Sequence, residues 1–445
     1  MSTESLELLE NLLGQAKRAG ADDADAVYFE SASLSVAQRL GQSEKLERSE
    51  SCDLGLRVLI GKQQAMVSST DLGAKALVEL VERAVAMARA APEDPHCGIA
   101  RPEQITSDGP ELDICDPEEP STESLIEVAS QAEDAARGVI GVTNSEGAEA
   151  GWSRSSIALA ATNGFLQIYS VSSHSLAVSV LAGEGTEMER DYEFSTAVHR
   201  SDLRSAEEIG RGAGERAVSR LGSRKMKTAQ VPIVYDPRVS GGLVGHLAGA
   251  INGVAISRET SFLKDSMGQR VFAPGIDIID DPHRLRGLRS KPFDAEGIAN
   301  SRRTLIKDGV LKSWILDLAS SRKLGVETTG NGTRGTTSPP SPGATNLYME
   351  PGDTSPADLM ADIDSGFYVT ELIGMGINQI TGDYSRGATG FWIENGQIVY
   401  PVSELTVAGN LKDMFANLTP ANDLEFQRGT DAPTIRVEGM TVAGI

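Results

Sequence analysis

The sequence predicts an α+β fold: a duplicated helix–strands–helix region over 1–222, followed by a glycine-rich, strand-dominated domain over 223–445. Three observations predict it. The order helix, strands, helix occurs twice, in units 1–91 and 121–222, on either side of a proline- and acid-containing connector from Pro92 to Pro120. Beyond residue 223 the chain holds more than half of its 46 glycines and two hairpin turns, Asp308-Gly309 and Asn395-Gly396. Within that domain one helix, 237–254, carries glycine at every fourth position.

The first helix spans residues 4–19, with Leu6, Leu9, Leu13 and Ala16 on one face and Gly20 as its stop. Strands follow at Ala26–Glu30, Leu34–Leu40, Lys45–Arg48 and as a pair within Leu54–Ser68, where β-branched and aliphatic residues recur. Asp71 caps a second helix whose apolar face is Leu77, Leu80, Val81, Ala84 and Val85. After the connector, Ser121 opens a helix through Arg137, strands occupy 139–182 with a type I′ signal at Asn163-Gly164, and a helix runs from Asp202 to Leu221. The segment 330–346, GNGTRGTTSPPSPGATN, is too rich in glycine and proline for a helix or a central strand. It reads as a loop lining a cleft, with Arg334 and Asn346 as polar anchors.

The chain's central stretch is Val231–Leu263. VPIVY suits a buried strand, Asp236 is an N-cap, and Pro237 occupies the first helical position. Val239, Leu243, Leu247 and Ile251 then form an apolar stripe, while Gly241, Gly245, Gly249 and Gly253 form a stripe without side chains. Each glycine costs a helix about 1 kcal/mol relative to alanine. All four glycines therefore read as a close-packing face, on which leucine at 245 or 249 would overpack.

Charge and composition restrict the function. Lys plus Arg total 41 against 63 Asp plus Glu, a formal net charge of −22. Such a surface repels phosphate backbones and anionic lipid, so neither nucleic acid nor membrane is expected as a partner. Three cysteines, at 52, 97 and 115, form no CxxC and cannot all pair, which fits a reducing compartment. The first residues carry three glutamates and no basic cluster, and no apolar run approaches membrane-spanning length. A cytoplasmic location is expected.

Catalytic motifs are missing. No two of the five histidines lie three to five residues apart, and His96-Cys97 is the one adjacent pair of soft ligands. The acidic pairs Asp280-Asp281 and Asp362/Asp364 read as solvated faces. There is no G-x-S-x-G elbow, no P-loop, and no GxGxxG after a strand. No residue is assigned as catalytic or as a metal ligand.

Several long motifs, in order along essentially the whole chain, resemble the PmbA/TldE family, the partner of TldD in the TldD/PmbA group of cytoplasmic peptidases. They are VPIVYDP…GGLVGHLAGAINGVAISRETSFL, TTGNGTR followed by PxPxxxN at Asn346, GxTGFWIENG, PVSELTVAGNLKDMF and the terminal TIRVEGMTVAG. In TldD-type chains the corresponding helix carries HExxxH, two zinc ligands and a general base. Here the match can be placed in two registers. The histidine positions fall on Val244 and Gly249, or on Gly245 and Ala250, and the glutamate position on Gly245 or His246. The cysteine that completes the TldD-type site also has no counterpart, since no cysteine follows Cys115.

The resemblance thus implies a subunit without its own cofactor, zinc being carried by a TldD-type partner that hydrolyses unfolded peptides, leader segments included. It also allows a homodimer when that partner is absent. Candidate residues for peptide or partner contact are His246, Asn331, Arg334, Asn346, Arg386 and Phe391. Two other readings stand beside this one: a metal-free hydrolase with an unrecognised site, and a regulatory binding protein of the kind suggested by the family's older label as a modulator of DNA gyrase.

Overall fold

The computed structural model describes residues 2–444. Its amino-terminal half is built on one antiparallel sheet. Helix α1 (Ser2–Arg18) leads into β1 (Asp23–Arg39), β2 (Gln42–Ile60), β3 (Gln63–Ser69) and α2 (Ala74–Ala90). Helix α3 (Thr122–Arg137) leads into β4 (Val142–Ala161), β5 (Leu166–Ala182), β6 (Glu189–Ala197) and α4 (Ala206–Ser219). The strand order β3-β2-β1-β4-β5-β6 sets the two units side by side, joined where β1 pairs antiparallel with β4.

Each helix pair covers its own half of one sheet face. Leu9, Leu12, Leu80 and Val81 pack with Ala26, Leu56 and Val58. Ala129, Ala132, Ala213 and Ala217 pack with Val36, Trp152, Leu176 and Val178. Burial of these apolar surfaces is the main stabilising term, at about 25 cal/mol per Å².

Several boundaries differ from the sequence expectation. The strands expected at Ala26–Glu30 and Leu34–Leu40 are one strand, and Lys45–Arg48 is continuous with the next. The polar residues between the expected segments are strand residues where the sheet is not covered by core: Ser31 and Ser155 hydrogen-bond across β1 and β4 at 2.8 Å, and residues 42–51 are all exposed. The turn at Leu40-Gly41 has positive φ at both positions, the geometry of a tight hairpin. Asp71 does not cap α2. Its carboxylate accepts from the Gly73 N–H at 2.8 Å, two residues early, and Gly73 is the N-cap. The fourth helix begins not at Asp202 but after Ser205, which forms a reciprocal capping box with Glu208.

In the carboxyl-terminal half, β7 (Ala229–Tyr235) lies between a parallel neighbour, Ser365–Ile373, and an antiparallel one, Ile435–Ala443. The hairpin Asp383–Glu394/Gln397–Asn410 extends this sheet, and its second strand pairs through Thr406–Ala408 with Thr441–Ala443. Those pairings close five strands into a ring. Helix α5 (Pro237–Ala250) follows β7, and its Leu243, Val244 and Leu247 share one core with Tyr235, Phe367, Val407 and Ile435. A second, five-stranded sheet includes Ile278–Asp281 and Asn346–Met349, paired antiparallel. Among the described residues no helix is long and apolar enough to cross a membrane.

The two halves meet across a charged seam. Arg238 pairs with Asp191 at 2.8 Å, Arg220 with Glu371 at 2.9 Å, and Arg286 with Asp113 at 2.6 Å. Deeper in, Asp25 of β1 accepts from both Arg57 and Arg334. Glu296 lies beside them and accepts from the Leu318 N–H at 2.8 Å. Burial, followed by the nearby Asp294 and Asp317 carboxylates, pushes its pKa up to about 8.

The stability effect follows from that direction. From the ordinary value of 4.5 upward the unfolded chain releases this proton while the folded chain keeps it until about pH 8. The group therefore opposes folding progressively across that window and constantly above it. Glu296→Gln, which keeps the acceptor for Leu318, is expected to stabilise the protein at pH 8 by on the order of 3 kcal/mol and at pH 5 by much less. Urea unfolding at the two pH values checks this, and an equal gain at both would refute the assignment.

Candidate functional site

Strand β7 is buried to the limit at Ile233, Val234 and Tyr235, and it delivers the chain to the start of α5. Asp236 there accepts from the Arg238 N–H at 2.9 Å and from the Tyr368 hydroxyl at 2.9 Å. The N-cap and Pro237 fix where the helix begins. The helix ends at Ala250, earlier than the 254 that the glycine spacing predicts, because the Asn252 side chain accepts from Val254 N–H and caps a separate short helix, Gly253–Ser257.

The glycine stripe therefore has two environments. A Cβ at Gly241 would stand 2.6 Å from the Thr430 carbonyl oxygen, and one at Gly253 would meet Ser320 and, at 2.7 Å, Leu316. These two are close-packed, as expected. Gly245 is not, and neither is its neighbour Gly242: both are exposed, and no packed neighbour lies within 4 Å of either Cβ position. Gly249 is exposed too, with only the Gln379 side-chain amide at 3.3 Å. The expectation that Gly245 and Gly249 seal a tight helix contact is corrected: here the helix presents bare backbone to the outside.

Beside this face sit His246 and Arg386, which the fold brings together. The His246 ring meets Tyr384 edge-on, with centroids 6.0 Å apart. Burial, with Arg386 as the second cause, pushes the His246 pKa down to about 4, so its imidazole is neutral at pH 7. Arg386 spends its guanidinium on the carbonyls of Leu372 and Ile373, at 3.3 and 3.4 Å. Those contacts hold the base of the loop 374–382. The loop touches the Gly249 face through Gln379 and carries Met375, 91% exposed, and Ile380, 62% exposed, next to Ile373 at 59%. Exposed apolar side chains on a loop that touches an uncovered helix backbone mark a candidate contact surface. Tyr384, Gln379, Met375 and Ile380 were not legible as site residues. The apolar side chains in a loop otherwise made of glycine and polar residues were the available signal.

The remaining sequence candidates lie elsewhere: Asn331, Asn346 and Arg334 are buried, which corrects their expected contact role, while Phe391 is half-buried on another face. Asn331 is buried, donating to Asp280 at 2.7 Å and to the Gly343 carbonyl at 3.2 Å, while accepting from Thr329. Asn346 is buried, donating to the Asp281 carbonyl and to Ser290 and accepting from Arg289 N–H. Both amides spend their hydrogen bonds within the chain. The Arg334 side chain is 1% exposed and reaches into the amino-terminal sheet to Asp25, so the loop 330–346 belongs to the interdomain seam. Phe391 pairs in register with Tyr368, whose ring joins Val234 and Ile393 on the sheet face opposite the main core. That separates it from His246 and Arg386.

The residues that align with a zinc motif do not fit the metal. In one register the ligand positions are Val244, fully buried in the core, and Gly249. In the other they are Gly245 and Ala250. Among the described residues no group of three or more His, Cys, Asp or Glu side chains is placed to hold a metal ion. The doublet Asp280-Asp281 is used structurally: Asp280 accepts from Thr345 N–H and hydroxyl and from Asn331.

Three family models match the chain in succession: PmbA/TldA metallopeptidase domain 1 over residues 24–88, the central domain over 115–221, and the C-terminal domain over 228–444. The metalloprotease PmbA of Escherichia coli O157:H7 is 38% identical, covering 95% of this chain and 92% of the relative. The PmbA homolog of Haemophilus influenzae is 34% identical, covering 96% and 94%. A crystal structure from Bacteroides thetaiotaomicron, described as a proposed modulator of DNA gyrase, superposes with a TM-score of 0.92 at 26% identity over 99% of both chains. TldE from Thermococcus kodakarensis shares the fold with a TM-score of 0.87 at 20% identity, over 98% of this chain and 100% of that one. By these matches, which run from the first strand to the last, the chain belongs to the PmbA/TldE family, and its function is peptidase-related.

Proposed function

We propose that this chain is the zinc-free subunit of a cytoplasmic, heteromeric TldD/TldE-type peptidase acting on unfolded peptides. A TldD-type partner supplies the metal and the general base. This chain supplies a wall of the peptide channel and holds the partner's site in shape. The observation that carries the reading is the open face of α5 at Gly242, Gly245 and Gly249. The helix aligns with the metal-binding helix of TldD-type chains but offers neither ligands nor base, and among the described residues its exposed side meets only the Gln379 side chain, at Gly249.

Four glycines, at 241, 242, 245 and 249, within fourteen helical residues cost about 4 kcal/mol of helix propensity, and among the described residues only Gly241 meets a close-packed backbone. An approaching chain recovers the rest, since backbone without side chains admits close contact. The exposed Met375 and Ile380 add apolar area and a flexible thioether that adapts to varied partners.

The test is cleavage of an unstructured peptide by this chain alone and by an equimolar mixture with a TldD-type subunit. The chain alone is expected to be inactive, and the mixture active and silenced by a metal chelator. Robust cleavage by the pure chain would overturn the reading.

A further inference from the structure

Behind the charged seam lies a cavity that the peptidase reading does not use. It has a volume of about 210 Å³, larger than the roughly 150 Å³ that admits a benzene ring. Val27 and Phe29 of β1, Leu159 of β4 and Tyr169 of β5 form one wall, and Phe293 forms part of the other. Phe293 meets Phe165 and Tyr169 edge-on, with centroids at 5.0 and 5.3 Å, which fixes the aromatic wall. Three ionisable side chains interrupt this apolar lining: Lys291, Asp294 and Arg334.

Their hydrogen bonds leave the cations, not the acid, unsatisfied. Asp294 accepts from the N–H groups of Glu296 and Ile298 with one oxygen and of Gly332 with the other, each at 2.9 Å. The Lys291 ammonium carries three donors and gives one to the Gly332 carbonyl at 2.9 Å, with no other acceptor in reach among the described residues. The Arg334 side chain is 1% exposed, and its buried Nε–H has no hydrogen-bond partner among the described residues. Its charge is only half compensated, because Asp25 is shared with Arg57. Lys291 has the Asp294 carboxylate as an electrostatic neighbour, but both oxygens of that carboxylate are taken by backbone N–H groups, so it satisfies the donors of neither cation. Unsatisfied donors on buried or partly buried cations in an aromatic cavity are costly unless a further acceptor joins them.

We propose that this cavity binds a small organic carboxylate with an aromatic or branched apolar tail, its oxygens on Lys291 Nζ and Arg334 Nε and its tail against Phe29, Tyr169 and Phe293. The carboxylate can come from a free acid or from the C-terminal residue of a peptide. The site requires neither a partner subunit nor peptidase activity.

Isothermal titration of the full chain with 3-phenylpropionate and with its neutral amide tests the proposal without any variant. The acid is expected to bind and the amide to bind at least about tenfold more weakly, because buried donors reject a ligand that cannot accept from them as an anion. Lys291→Met, close in shape, is expected to lose at least about tenfold of the acid's affinity while keeping the thermal midpoint. A third arm uses an acetylated tripeptide ending in a free phenylalanine carboxylate. Binding like the acid assigns the site to peptide ends, and failure beside a binding acid assigns it to free acids. No titration by either 3-phenylpropionate or the tripeptide, or equal binding of acid and amide, would overturn the proposal.

Discussion

Replacing Gly245 with leucine is expected to leave the protein folded and to weaken its contribution to peptide cleavage. The Cβ position at residue 245 is open, so the new side chain enters solvent rather than core. Gly→Leu in a helix interior also gains about 0.8 kcal/mol of propensity, which raises the thermal midpoint slightly. In the mixture with a TldD-type subunit the same leucine occupies the face where close approach is required, and activity is expected to fall at least tenfold, about 1.4 kcal/mol or more.

Gly241→Ala is the matched control with the opposite outcome. Its Cβ would lie 2.6 Å from the Thr430 carbonyl, a backbone atom that cannot swing aside, and overpacking of this kind costs about 1–3 kcal/mol. Thermal midpoints and cleavage rates of the two variants separate a packing face from a docking face. Full activity with Gly245→Leu would remove the α5 face from the docking surface.

The contrast between these two glycines shows where sequence reasoning reaches its limit. The four-residue spacing places Gly241, Gly245 and Gly249 near one side of a helix, and Asp236-Pro237 places its start. Local chemistry decides those features, so they were legible, as were the type I′ turn at Asn395-Gly396 and the helix opened by Ser121. The chain also turns at Asn163-Gly164, but not as the expected type I′, since only Gly164 has positive φ and the Gly164 N–H donates to the Ala161 carbonyl around Thr162 and Asn163. What lies opposite a glycine is decided by residues far along the chain: Thr430 faces Gly241, and none of the described residues lies within 4 Å of the Cβ position at Gly245.

The same separation defeats the reading of the loop 330–346. Its glycines and prolines announce a loop, but Arg334 finds Asp25, a partner 309 residues away, and no local pattern records that pairing. Long strands were misread for a different reason. Alternation fails where both faces of a strand are polar, as in residues 42–51, because period-2 patterning reports burial on one face rather than strand conformation itself. The α+β class survived these errors because it depends on the order of elements and not on their ends.

The largest loss of stability is expected from Asp25→Asn. Burial alone would raise this carboxyl's pKa, but Arg334 and then Arg57 outweigh it and hold the value below the ordinary 3.8. A depressed folded pKa contributes stability that is present above the unfolded value and is lost as pH falls through the folded one. Asparagine keeps the shape but removes the single negative charge between two buried guanidiniums, Arg57 and Arg334. Breaking such a cluster costs about 3–5 kcal/mol.

Arg334→Met is expected to cost much less, since it leaves a balanced Asp25–Arg57 pair bonded at 2.8 Å and puts an apolar chain in the seam. Adding it to Asp25→Asn removes one of the two stranded cations, so the double variant is expected to be more stable than Asp25→Asn alone. Urea midpoints at pH 7 rank the three variants. At a pH below 3.8 the wild-type carboxyl begins to take up its proton, and the gap between wild type and Asp25→Asn should narrow. A gap that is small at pH 7, or that does not narrow on acidification, would mean that Asp25 does not hold the two halves together by its charge.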